Sequence, residues 1–354
     1  MINLKIPALN SLVGGVIMAF ATSAHLYLQG KITGISGILN KCIHMIDVNY
    51  SYSFLSGMLF MSSYIKCYYN PLKKNSKQSY METPSQYVNG LSLFGFIIAG
   101  FLVGFGAKMC NGCTSGHGLC GLPRMSKRSI VAIGLFMIFG CITATSRYYW
   151  PYFNPKHPLP AVDSSLLAWT VLFASVAAIG YLLYQSYKTG KVDNVRDTII
   201  AISVGTIFSY GLIQSGMLQR HIVVGFLTLS IKAWRIQLLF ALGGAVGVNY
   251  FLFKYIFSLS KPLYKSKFDL NSNTNVDNKL LIGAAIFGIG WGLSGVCPGP
   301  AILSFYIYCP HSILLLAAMC GGIYVENLYD KQITEIINKS PLLSLINVFD
   351  KKNK

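Results

Sequence analysis

Acidic residues are scarce in this chain: 11 Asp and Glu among 354 residues, against 29 Lys and Arg. Of these eleven only Glu326 falls at the end of an apolar run, the rest lying in segments that read as loops or tails. Proton relays and cation sites inside membranes are usually built on buried carboxylates. The shortage therefore argues for an anionic or neutral solute if one crosses here. Charge of either sign is low as well, at 11% of residues, while 53% are hydrophobic. A soluble domain carries about 25% charge, so the surplus apolar surface must face lipid. Long polar stretches between the apolar runs are missing too, which leaves no room for a soluble enzyme domain.

What is present instead is a series of apolar runs that approach the ~20 residues a bilayer-spanning helix needs. They are Ser11 to Leu28, Tyr52 to Tyr69, Gly90 to Met109, Ser129 to Ser146, Ser164 to Tyr187, Thr198 to Ile213, Ile236 to Leu259, Leu280 to Ser294 and His311 to Glu326. These predict about nine transmembrane helices. Only Lys5 precedes the first run, and no small-residue cleavage site leads into a soluble domain, so that run reads as a retained helix rather than a signal peptide.

A formal charge of +18 would suggest a nucleic-acid partner in a soluble protein. Here the cations sit mainly in short connections between apolar runs, so no nucleic acid is expected and the charge speaks to orientation instead. Counting alternate connections places ten Lys and Arg on one side and nineteen on the other, or fourteen without the five lysines of the C-terminal tail. The positive-inside rule then puts the N-terminus outside and the C-terminus in the cytoplasm of a multi-pass cell-membrane protein.

The polar stretches Asn70 to Asn89 and Lys261 to Asn278 read as solvated connections. Trp150 to Asp163 holds Pro151, Pro155, Pro158 and Pro160, which deny it a regular helix and mark an external loop. A shift of 184 along the chain sets Gly104-Phe-Gly106 on Gly288-Ile-Gly290 and Cys113 on Cys297. A shift of 190 sets Gly15 on Gly205 and Gln29 on Gln219. These matches predict one transmembrane domain built as two repeats. Residues 1–150 form the first, 151–163 the Pro-rich connection, 164–330 the second and 331–354 a polar tail.

The segment Met109-Cys110-Asn-Gly-Cys113-Thr-Ser-Gly-His117-Gly-Leu-Cys120 lies between two apolar runs and is too short and broken to span. Irregular backbone survives at membrane depth only where it is buried in protein or lines a watery cavity. A re-entrant loop with a short half-helix meets that demand. Thr114 and Ser115 are good N-cap residues for a half-helix starting just after Cys113, whose free N–H groups would attract an anion. In the second copy Pro298 follows Cys297, a residue suited to a first helical turn. Small residues spaced four apart, Gly100/Gly104 and Ala284/Gly288/Gly292, also serve close helix packing. Packing alone leaves the paired Gly, Pro and Cys clusters at two run ends unexplained.

Cys110-x-x-Cys113 with His117 and Cys120 nearby admits two rivals, a zinc site and a thiol oxidoreductase using Cys110 and Cys113. The aligned second copy offers only Cys297, which disfavours zinc. Cys42, Cys67, Cys141, Cys309 and Cys320 read as packing residues. His117 reads either as a satisfied polar group or as a solute contact, and no metal or other cofactor is expected.

The motifs Gly112-Cys-Thr-Ser-Gly-His-Gly118 and Gly288-Ile-Gly-Trp-Gly-Leu-Ser-Gly-Val-Cys-Pro-Gly-Pro-Ala301 resemble those of the YeeE/YedE sulfur transport family. Gly30-Lys-Ile-Thr-Gly-Ile-Ser-Gly-Ile-Leu39 and Val224-Gly-Phe-Leu227 are similar to its first and third re-entrant turns. The resemblance implies an all-α integral membrane protein in which four half-helices form an hourglass. It implies uptake of thiosulfate or a related inorganic sulfur anion, handed through the neck by cysteine thiols and without catalysis. The same scaffold could move another small sulfur or selenium solute. By the same resemblance Cys113 and Cys297 are the central pair. Cys110, Thr114, Ser115, Gly116, His117, Pro298 and Gly299 surround them, with Gly34, Ser36 and Gly37 at the first turn. An intracellular sulfur-carrier protein would receive the cargo. Some relatives carry a further cysteine at the first turn, where this chain has Thr33 and Ser36.

Overall fold

A computed structural model describes residues 8–69, 82, 87, 90–155, 164–270 and 275–339. Lys5, most of the 70–89 connection, Pro158 and Pro160 of the Pro-rich loop, and the tail beyond residue 339 lie outside the described residues. Every element described is helical, apart from one isolated bridge between Lys31 and Asp269.

Among the described residues nine helices are long: α1 (Ala8–Gln29), α3 (Val48–Tyr64), α4 (Leu93–Met109), α6 (Lys127–Tyr149), α7 (Ser165–Lys188), α8 (Val192–Gln214), α10 (Gln237–Ser258), α11 (Asn278–Ser294) and α13 (His311–Leu328). Each coincides with one apolar run of the sequence. Four short helices stand between long ones: α2 (Ile35–Ile43), the wide-turned π-helix α5 (Thr114–Gly121), α9 (Arg220–Leu227) and α12 (Pro298–Ser304), and α3 runs on into a π-helical turn at Ile65–Tyr69. A terminal helix, α14 (Asp330–Lys339), follows α13. Among the described residues seven stretches are long and apolar enough to cross a membrane unaided, α11 counting together with α12. An eighth is added if α4 and α5, bent by 48° at their junction, are taken as one. The protein is an all-α, multi-pass integral membrane protein.

The order long, short, long, long, short, long occurs twice, as α1 to α6 and as α8 to α13, with α7 between. The two series interlock. Helix α1 packs on α8 and α10, α3 on α8, α4 on α11 and α13, and α6 on α11. At the centre the backbones of α4 and α11 rest on one another. A Cβ at Gly106 would come within 2.4 Å of Phe287 N and 2.7 Å of Gly283 O. A Cβ at Gly290 would come within 2.8 Å of both Ala99 O and Val103 N. The two contacts stand in the same register, since the shift of 184 that sets Gly290 on Gly106 also sets Gly283 on Ala99 and Phe287 on Val103. Glycine is therefore required at both positions by close approach and not by backbone angle.

The connections into the short helices also follow from local chemistry. Asn111 takes a left-handed conformation (φ 58°) just after α4, which reverses the chain toward Cys113. Gly295 does the same after α11 (φ +69°), and Pro298 then occupies the first turn of α12.

Candidate functional site

Cys113 and Cys297 are the N-cap residues of α5 and α12. Both line one small cavity of about 30 Å³ near the middle of the bundle. Thr114, Ser115, Gly299 and Pro300 share its wall, closed by the apolar side chains of Met18, Ile35, Leu119, Phe208, Leu212, Met217 and Leu242. A space of this size holds water but no larger solute.

Neither cysteine makes a side-chain cap bond to its own helix. Of the hydroxyls expected to cap α5, that of Ser115 is used across the site instead. Ser115 Oγ accepts the Ile35 N–H at 3.0 Å and so satisfies the first free amide of α2. It also lies 3.2 Å from the Cys113 thiol. Thr114 lines the same cavity as Cys297. The Cys113 turn and the α2 turn thus meet through the Ser115 hydroxyl.

Beside this constriction opens a vestibule of about 1090 Å³. Gly34, Ser36, Gly37, Gly116 and His117 line it, together with Lys31, Lys41, Lys108, Arg124, Lys127 and Arg128. Asp269 is the one carboxylate in that lining among the described residues. The floor of the vestibule is the roof of the constriction, because Gly34 and Gly116 precede and follow Ile35 and Ser115 of the inner cavity. A Cβ at either glycine would lie within 4 Å of the other's Cα, and a Cβ at Gly37 would meet nothing. Gly34 and Gly116 thus face each other at van der Waals distance, and Gly37 borders open space.

Two predicted residues stand apart. The Cys110 thiol turns back on its own loop, 3.0 Å from Gly112 O and 3.7 Å from Ala107 O, and lines neither space. Pro298 likewise lines neither and acts on the backbone of α12. His117 reaches the vestibule wall, but both its ring nitrogens are engaged, with Ser129 Oγ at 3.0 Å and with Cys110 O at 3.2 Å. It stitches the turn to α6. All nine cysteines are free thiols, and no three His, Cys, Asp or Glu side chains converge as metal ligands among the described residues.

Sequence reasoning missed the basic lining. The signal was available: Lys31 lies just before Gly34, and Lys108, Arg124, Lys127 and Arg128 flank the Cys113 turn, yet all were counted only for orientation.

Residues 83–143, which contain the Cys113 turn, match a family model described as sulphur transport. Residues 196–336, which contain the Cys297 turn, match a model described as a family of unknown function (DUF6691). Two proteins of Xylella fastidiosa, from strains Temecula1 and 9a5c and both named "Probable transporter", are each 37% identical over 128 residues. That alignment covers 36% of this chain and 86% and 88% of the two relatives. The chain belongs to the YeeE/YedE sulfur transport family. A third relative, a "Probable transporter" of strain 9a5c, is 33% identical over 134 residues, 38% of this chain and 90% of its own length. Each of these relatives is thus less than half as long as this chain, close to the span of one six-helix series. Membership in a family of transporters makes the protein a non-enzymatic membrane transporter, and the thiol oxidoreductase alternative falls away.

Proposed function

We propose that this sulfur transporter takes up thiosulfate or a closely similar sulfur oxyanion, which passes between the thiols of Cys113 and Cys297. The observation that carries this reading is that both cysteines begin short helices and face one cavity, directly beneath a vestibule rich in cations. Each group contributes a separate property. The vestibule lowers the potential energy of an approaching anion and raises its local concentration. The helix dipoles at the starts of α2 and α5, and in α12 the Gly299 amide between two prolines that carry no N–H, supply partial positive charge without a fixed counter-ion. Thiols are weak donors, so they replace part of the hydration shell without holding the dianion so tightly that release stalls. A buried arginine clamp in their place would trap it.

On this reading α2, α5, α9 and α12 are re-entrant half-helices, and the two helix series are repeats meeting at the neck of an hourglass. The constriction must widen for an anion of five heavy atoms to pass. The vestibule lies at the end of the molecule that carries α14, so it opens to the cytoplasm of a plasma-membrane protein if the positive-inside orientation holds. An intracellular sulfur carrier would meet the cargo there.

The test is uptake of radiolabelled thiosulfate by cells expressing the protein. Cys113→Ala and Cys297→Ala should each abolish uptake while membrane insertion stays normal. Undiminished uptake in both variants rules out the path. Competition by unlabelled sulfite, sulfide or selenium analogues then ranks the solutes.

A further inference from the structure

Two polar side chains buried in the long helices touch the cysteine-bearing half-helices at the same register. Leu119 and Leu303 each stand six residues beyond their cysteine, Cys113 and Cys297, in the last turn of α5 and α12. Carbonyl groups of a last turn have no partner within their own helix. Leu119 O accepts Nδ2 of Asn249, on α10, at 2.7 Å. Leu303 O accepts the hydroxyl of Ser62, on α3, at 2.6 Å. Asn249 and Ser62 are both fully buried.

Each contact crosses from one helix series to the other. Asn249 of the second series holds α5 of the first, and Ser62 of the first holds α12 of the second. Both side chains are anchored in turn. Asn249 Nδ2 also donates to Thr22 Oγ1 at 2.9 Å, and its Oδ1 accepts Ser23 Oγ at 2.7 Å, both on α1. The Ser62 hydroxyl lies 3.0 Å from the Tyr306 hydroxyl, just past the end of α12. An asparagine at the centre of an apolar helix is costly unless every donor and acceptor is met, and here all are. Packing gives no reason for an amide at this place, since the neighbours of Asn249 on α10 are apolar.

We infer that Asn249 and Ser62 are positioning residues, each fixing from the opposite series the half-helix whose N-cap cysteine faces the constriction. Asn249 sets the place of Cys113, and Ser62 sets that of Cys297. A half-helix anchored only at its N-terminal turn is free to slide along its axis, and a bond to the far end prevents this. Because the clamps are crossed, motion of one series is passed to the cysteine of the other. This rests on the reading that the two cysteines form the transport path.

The experiment is peptide-resolved mass spectrometry of thiol labelling, with methyl methanethiosulfonate on the purified full chain in lipid nanodiscs. Asn249→Leu should change the labelling rate of Cys113 about tenfold, as expected when one buried hydrogen bond is lost, and leave Cys297 within twofold of the parent. Ser62→Ala should do the reverse, and Ser62→Thr, which keeps the hydroxyl, should restore the parent rate. If Asn249→Leu fails to insert, the double variant Thr22→Val with Ser23→Ala frees Asn249 from α1 and should again move Cys113 alone. Parallel changes at both cysteines, or none at either, overturn the inference. Crossed changes in labelling, found together with undiminished uptake by Cys113→Ala and Cys297→Ala, would uphold the clamps and discard the transport path.

Discussion

The two ends of the bundle are built from the same order of helices and finish differently. At one end the start of α2 faces an open vestibule with six cationic side chains in its wall. At the other, the corresponding start of α9 is covered. The Arg220 N–H donates to Glu82 Oε2 at 3.2 Å, and His221 Nδ1 lies 2.8 Å from Glu82 Oε1. The Arg220 guanidinium donates to Ser294 O at 2.8 Å and to Tyr87 O at 2.9 Å, and sits over the rings of Tyr87 and Phe96. Tyr308 stacks on Tyr87 and donates to Glu82 O. Arg147 closes the margin by bonding to Gly90 O and Leu293 O. The protein's own carboxylate thus occupies the half-helix start that at the opposite end is open. A few side chains, and not the order of the helices, make the difference between the two half-helix starts.

This contrast can be tested by making the ends alike. Filling the open mouth should have the largest effect: Gly116→Leu places a branched side chain at the vestibule floor and should cut thiosulfate uptake by at least about tenfold, since pore diameter governs passage. Normal membrane insertion with normal uptake would show that the solute takes another route. Opening the closed mouth comes next. Arg220→Ala leaves the buried carbonyls of Ser294 and Tyr87 without their guanidinium donor and should destabilise the purified protein by about 2 kcal/mol or more, read as a fall in thermal midpoint. Arg124→Ala at the open mouth should cost much less. Discharging the vestibule is milder: Lys108→Gln with Lys127→Gln should slow uptake at low substrate by about tenfold or less, with a weaker dependence on salt than the parent. Cys110→Ser should change uptake by less than about twofold, because replacing a group that contacts no solute removes no binding energy.

The helices were legible in the sequence because lipid-facing surface must be apolar, and each of the nine runs became one long helix. The start of α12 was legible from Pro298, whose fixed φ suits a first helical turn, and that of α5 from the broken segment around Cys113. Their side-chain partners were not. Thr114 and Ser115 suggested local capping, yet the Ser115 hydroxyl serves the start of α2, on a distant part of the chain. Asn249 and Ser62 were invisible for the same reason: a buried amide or hydroxyl in an apolar run gives no sign of which distant carbonyl it meets. Helix α7 was read into the second half, and nothing in its composition marks it as standing between two six-helix series.

The crossing of α4 and α11, where Gly106 meets Phe287 and Gly290 meets Val103, has a mechanical meaning. Backbone resting on backbone leaves no side chain to compress, so α4 and α11 cannot draw closer there, but they can tilt about the touching point. A 17-residue helix is about 25 Å long, and a few degrees of tilt about such a fulcrum carries its ends through an ångström or more. Cys113 and Cys297 hang just beyond those ends. A larger residue at either glycine would push α4 and α11 apart and displace the cysteine turns that follow them.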